Sequence, residues 1–156
     1  MPATILDRLL LIGALFDHDM ARAFAGTPLS PARMRVLWVV HHSGPLTQQA
    51  LAHALEVSPR NVTALVDALE EAGYLHRGAH PTDRRAVLVS LTALGVQLME
   101  TTTREHAELS ATLLDAVRPE DRGAVERGIE AIADRLAELV EAETSADAAR
   151  ATTGTR

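Results

Sequence analysis

Two arginine-bearing stretches and one aromatic and histidine group hold the side chains best suited to chemistry in this sequence. Arg60, Asn61 and Thr63 closely follow Ser58-Pro59, with the small Ala64 behind them, and Asp83-Arg84-Arg85 follows His80-Pro81-Thr82. Arginine can fork onto guanine, asparagine can pair with adenine, and threonine can bond to a phosphate or meet a thymine methyl. This is binding chemistry aimed at base edges and phosphates. Phe16, Trp38, His41 and His42 would suit an apolar pocket with polar handles for an aromatic or phenolic effector, although such residues are more often plain core and helix-end surface. Reaction chemistry finds no footing. The His, Asp and Ser residues are nowhere spaced as a nucleophile elbow, a phosphate loop or a metalloprotease helix, so neither an enzyme nor a cofactor is expected. The chain has no cysteine, which removes disulfides and thiolate metal sites. Asp17, His18, Asp19, His41, His42 and His106 could offer oxygen and nitrogen to zinc, the alternative of a metal-responsive protein. No two of these histidines stand four apart on one helix, so no metal site is expected.

The elements that must position these residues are mostly helical. Ala and Leu are abundant, and only 3% of the 156 residues are aromatic. Thr4 caps a first helix with Ile5, Leu9, Ile12, Phe16, Met20 and Phe24 at helical spacing, ending near Gly26. Ser30-Pro31 starts a second helix that carries Met34, Leu37, Trp38 and His41 and stops at Ser43-Gly44-Pro45. Thr47 opens a short third helix through Leu55. Ser58-Pro59 opens a fourth, whose stripe Val62, Leu65, Val66 and Leu69 runs to Ala72-Gly73.

From Tyr74 the period changes. Tyr74 to Arg77 and Ala86 to Leu91 read as two short strands around a turn-rich, basic tip. Thr92 then opens a long helix with Leu94, Leu98, Leu109, Leu113 and Leu114, and Pro119 begins another. Residues 144–156 turn small and polar, and are expected to be a disordered tail.

Two helices joined by Glu56-Val57-Ser58 match the helix-turn-helix plan, in which the second helix enters the DNA major groove. With the stripe inward, Arg60, Thr63, Ala64 and Asp67 face outward and Asn61 lies on the flank. Any surface helix shows polar residues opposite its stripe, so this face alone does not decide. A basic turn directly after such a pair does more, because a wing needs an arginine at its tip to enter the minor groove. Arg84 and Arg85 fill that role, with His76 and Arg77 at the wing base. Thr47, Gln48, Ser58 and Pro59, at the two helix starts, complete the candidate DNA-binding set.

Charge is compatible with this reading once it is mapped. The net charge is −6, which by itself disfavours phosphate binding. Residues 92–143, however, hold twelve acidic residues against five arginines, a local −7, leaving about +1 elsewhere. All fifteen basic residues are arginine, which suits forked contacts but also reflects genomic composition.

Residues 29–95 resemble the MarR (multiple antibiotic resistance regulator) family of bacterial transcription factors. The likeness lies in Leu46-Thr47-Gln48-Gln49-Ala50-Leu51-Ala52, Val57-Ser58-Pro59-Arg60-Asn61-Val62-Thr63, Leu69-Glu70-Glu71-Ala72-Gly73-Tyr74-Leu75, His80-Pro81-Thr82-Asp83-Arg84-Arg85 and Val89-Ser90-Leu91-Thr92-Ala93-Leu94-Gly95. The resemblance implies a homodimer on a pseudo-palindromic operator, acting as a repressor and released by a small ligand. It also implies that Asp83 orients the wing, that Arg85 enters the minor groove and that Arg84 contacts backbone.

The sequence independently favours a dimer. The first and last helices carry apolar faces that a chain of this size would struggle to bury alone, and Val125, Ile129, Ile132, Leu136 and Leu139 alternate steps of four and three as a helix–helix seam does. The expected fold is therefore mainly α with a small β-hairpin wing: a winged helix-turn-helix of about six helices, dimerised through its N- and C-terminal helices. The expected boundaries are a single domain over 1–143, with a DNA-binding region at 30–91 and dimerisation helices at 4–26 and 92–143. The longest apolar run, Leu9 to Phe16, is far short of the roughly 20 residues of a membrane span, and the N-terminus lacks a basic signal region, so a cytoplasmic protein is expected. Its competitor is a helical protein-interaction module that has lost DNA binding.

Overall fold

A computed structural model of the chain describes residues 3–79 and 86–153. Six α-helices and three strands follow the order α1 (Ile5–Phe24), α2 (Pro31–Ser43), β1 (Leu46–Thr47), α3 (Gln48–Leu55), α4 (Pro59–Glu71), β2 (Leu75–Ala79), β3 (Val87–Leu91), α5 (Ala93–Asp115) and α6 (Arg122–Thr153), with a 3-10 turn at Pro119–Asp121 before α6. The helix starts are set locally. Thr4, Ser30, Thr47 and Ser58 each accept a hydrogen bond from a backbone N–H of the first turn, and Pro31 and Pro59 occupy first-turn positions where no donor is lost.

The helix ends are equally specific. Gly73 takes φ +80° after α4, and Tyr74 N–H donates back to the Leu69 carbonyl at 2.9 Å, a left-handed cap that glycine adopts at little cost. The same turn after α3 is made by Glu56 at φ +54°, a non-glycine residue in a region L side chains seldom occupy.

Two compact units divide the chain, 1–104 and 105–156. The core lies in the first. It gathers Val36, Leu37 and Val40 of α2, Leu51 and Leu55 of α3, Val62, Val66 and Leu69 of α4, Leu75 of β2, Val89 of β3 and Met99 of α5. The strands form one antiparallel sheet in the order β1-β3-β2, with Leu46 opposite Val89 and Leu75 opposite Leu91. The hairpin expected from Tyr74 to Leu91 is present, and β1 adds a strand that the sequence reading did not foresee.

The junction into α5 is tight. Thr92 Oγ1 donates to the Gly73 carbonyl at 2.5 Å and accepts from Gly95 N–H at 3.1 Å. A Cβ on Gly95 would come within 2.2 Å of the Tyr74 carbonyl oxygen, so only glycine lets the helix start pass the backbone just before β2.

In the second unit, α6 continues to Thr153, past residue 143 where a disordered tail was expected. Ala146, Ala148, Ala149 and Ala151 explain the difference. Residues 144–153 carry no apolar period that would signal packing, but alanine has a high intrinsic helix propensity. No helix among the described residues is long and apolar enough to cross a membrane.

Candidate nucleic-acid interface

Helix α4 is built to present one face. Val62, Val66 and Leu69 are fully buried, and Arg60, Asn61, Thr63, Ala64 and Asp67 all lie on the exposed side. Ser58 Oγ accepts from Asn61 N–H at 3.3 Å, which fixes the first turn, and Thr63 Oγ1 donates to the Pro59 carbonyl at 3.0 Å. Pro59 thus both starts the helix and anchors the Thr63 hydroxyl. Arg60 has no ion-pair partner among the described residues, so its guanidinium is available to an external acceptor.

At the start of α3, Thr47 accepts from Ala50 N–H at 3.1 Å, leaving Gln48 as the side chain that reaches α4. With its amide oxygen turned toward Arg77, Gln48 accepts from Nη2 at 2.7 Å and from Nε at 3.0 Å. Its NH2 group then faces Thr63 Oγ1 at 3.4 Å. This orientation is preferred, because the opposite one points the amide donors at a cation.

Arg77 is the most heavily bonded side chain of the region. From β2 its guanidinium pairs with Asp67 at 2.5 Å and with Glu70, both on α4, while its own backbone N–H donates to Glu70 Oε1 at 3.0 Å. Burial alone would lower its pKa, but the hydrogen bonds and charges of Asp67 and Glu70 outweigh it and hold Arg77 above its ordinary value. Asp67 and Glu70 were not among the expected site residues. Their link to Arg77 crosses the Gly73 turn, where neither helical nor strand periodicity pairs residues.

Asp83, Arg84 and Arg85, the expected wing tip, lie outside the described residues. The strands that carry the tip are described, with Ala79 paired opposite Val87.

Three of the four residues expected near an effector, Trp38, His41 and His42, lie together on α2. Trp38 and His42 stack with ring centroids 4.7 Å apart, His41 meets His42 edge-on at 5.1 Å, and His42 Nδ1 lies 2.9 Å from the Trp38 carbonyl oxygen. Phe16, on α1, is 43% exposed and joins none of these ring contacts among the described residues. No group of three or more potential metal ligands occurs among the described residues.

Of the residues expected at a dimer seam, Ile5, Ile12, Ile129, Leu136 and Leu139 are exposed in the single chain, and Leu9, Val125 and Ile132 are half-buried.

A helix pair ending in a strand-paired wing defines a winged helix-turn-helix protein. The MarR family profile matches residues 29–87. The chain is 33% identical over 106 residues to a putative transcriptional regulatory protein for the hcr operon of Thauera aromatica, a match covering 65% of this chain and 64% of the relative. It is 30% identical over 96 residues to an uncharacterized HTH-type transcriptional regulator of Mycobacterium bovis, covering 62% of this chain and 67% of the relative. Among solved structures, FabT of Streptococcus pneumoniae in complex with DNA superposes with a TM-score of 0.79 at 22% identity, over 86% of this chain and 96% of that one. The chain belongs to the MarR family.

Proposed function

We propose that the chain is a sequence-specific DNA-binding regulator of transcription that acts as a homodimer on a pseudo-palindromic operator. One α4 enters the major groove of each half-site, and Arg85 of each wing enters the flanking minor groove. The observation that carries this reading is α4 itself, capped by Ser58, anchored by buried Val62, Val66 and Leu69, and presenting Arg60, Asn61, Thr63 and Ala64 together on its open side. The choice of side chains matches base-edge recognition. FabT, a relative in fold, is seen in complex with DNA, as is MepR of Staphylococcus aureus.

Dimerisation is supported by the apolar side chains that α1 and α6 expose in the single chain. Two-fold symmetry would set the recognition helices roughly 34 Å apart, one turn of DNA. The role is repression by occupying the operator, relieved when a small aromatic or phenolic effector binds near Trp38, His41 and His42.

Selection of bound genomic fragments with the purified protein, followed by gel-shift titration, tests the proposal. Arg60→Ala should weaken operator binding by about 1 to 3 kcal/mol and relax preference at one base position. Arg85→Ala should weaken binding without unfolding the protein. No saturable binding of any fragment at low salt would overturn the DNA-binding role and favour a protein-interaction module.

A further inference from the structure

Arg77 stands at the base of the wing, one strand away from the recognition helix, and at first sight is one more cation for phosphates. Its bonding argues otherwise. Nη1 is taken by Glu70, Nη2 by Asp67 and Gln48, Nε by Gln48, and the backbone N–H by Glu70. One side chain of β2 therefore ties α3 and two successive turns of α4 to the wing. A planar guanidinium has its donors in a fixed fork, so bonding three partners at once fixes their relative positions in a way a lysine could not.

We propose that Arg77 is a positioning residue: it locks the wing strand to the recognition helix, so that α4 and the wing reach DNA at a fixed separation, and it does not itself bind phosphate. This deepens the DNA-binding reading above and rests on it. Arg77 is the reason a helix meant for a polyanion tolerates Asp67 and Glu70, because it draws both toward the wing base. Gln48 is held in turn, with its amide NH2 facing Thr63, so α3 and α4 share one bonded network across their exposed ends.

The proposal predicts an effect of unusual sign. Removing a carboxylate beside DNA ordinarily strengthens binding, by reducing repulsion and, here, by releasing Arg77 toward a phosphate. The clamp requires the opposite. In titrations of the full-length protein against its selected operator, Glu70→Ala should weaken binding about tenfold, on the scale of one lost charge-assisted pair. Affinity for random DNA should stay near wild type. Arg77→Ala should lower operator affinity as much or more while leaving the slope of log affinity against log salt unchanged, whereas a lost phosphate contact would reduce that slope by about 0.9. Arg77→Lys should restore only part of the loss.

Thermal melting of each variant separates this from unfolding, which would weaken operator and random DNA alike. Unchanged or tighter operator binding by Glu70→Ala, or a reduced salt slope for Arg77→Ala, would overturn the clamp. If the wild-type protein binds no DNA, the DNA-binding reading falls, and the clamp is then judged by amide hydrogen exchange of Arg77. Faster exchange in Glu70→Ala supports it, and unchanged exchange overturns it.

Discussion

Helices α1 and α4 start alike and end differently. Each is opened by a hydroxyl that caps its first turn, Thr4 in one and Ser58 in the other. Yet α4 buries Val62, Val66 and Leu69 completely, and α1 buries nothing, leaving Ile5, Leu6, Leu10, Leu11, Ile12, Leu15 and Phe16 between 43 and 68% exposed. The apolar residues of α1 also spread beyond one stripe, since Ile5, Leu9, Ile12 and Phe16 share a face that Leu11 and Leu15 do not. A helix apolar on several sides needs enclosure. Folding of the single chain accounts for α4, whereas α1 would find its burial only in the homodimer proposed above.

The contrast can be broken most forcefully from the α4 side. Leu69→Ala should destabilise the protein by about 2 to 5 kcal/mol, through lost burial and the cavity left behind. The loss should be read as a fall in the urea midpoint, of the same size at every protein concentration. Gly95→Ala comes next. Its Cβ would press on the Tyr74 carbonyl, a backbone atom that cannot swing away, and overpacking of this kind costs about 1 to 3 kcal/mol or more. A melting temperature equal to wild type would mean that the α5 start shifts freely, and that the Thr92 junction does not hold it.

On the α1 side the same logic predicts a different observable. Ile12→Asp should barely change the stability of the isolated subunit, because the side chain is already 48% exposed there. It should raise the dimer dissociation constant about tenfold or more, since a carboxylate would be carried into an apolar interface without a partner. Sedimentation equilibrium checks this. A dimer as tight as wild type would place the interface away from α1.

How much the sequence disclosed follows from the range of the forces involved. Caps are local, so Thr4, Ser30, Thr47 and Ser58 marked every one of the first four helix starts, and the α4 stripe marked its buried face. Strand β1 went unread because two residues, Leu46 and Thr47, carry no period; they are strand only because β3 pairs with them. The Arg77 network was equally hidden, since its partners sit on α3 and α4 and meet only after the Gly73 turn brings β2 back beside them. Exposure of Arg60, Asn61 and Thr63 was legible because it is the complement of a strong stripe. The engagement of Arg77 was not, since its type and position suggested a free cation.

The smallest expected effect returns to the start of α1 and sharpens the likeness of the two caps. Asp7 accepts from Thr4 N–H and from Thr4 Oγ1, each at 2.7 Å, while Thr4 Oγ1 accepts from Asp7 N–H at 3.2 Å. The hydrogen bonds from the Thr4 side chain, and then from its backbone, lower the Asp7 pKa below its ordinary 3.8. A carboxylate more acidic in the folded chain than in the unfolded one adds stability above the unfolded value and loses it as pH falls through the folded one. The first turn of α1 should therefore hold at neutral and mildly acid pH and loosen only below the usual carboxylate range. The α4 cap, which uses a hydroxyl and no carboxylate, should not respond over that interval. Amide exchange of the first turns of α1 and α4, followed from pH 7 downward in the wild type and in Asp7→Asn, compares the two directly. The substitution should abolish the acid-dependent step in α1 and leave α4 as it was; a step that persists in Asp7→Asn would assign it to another group.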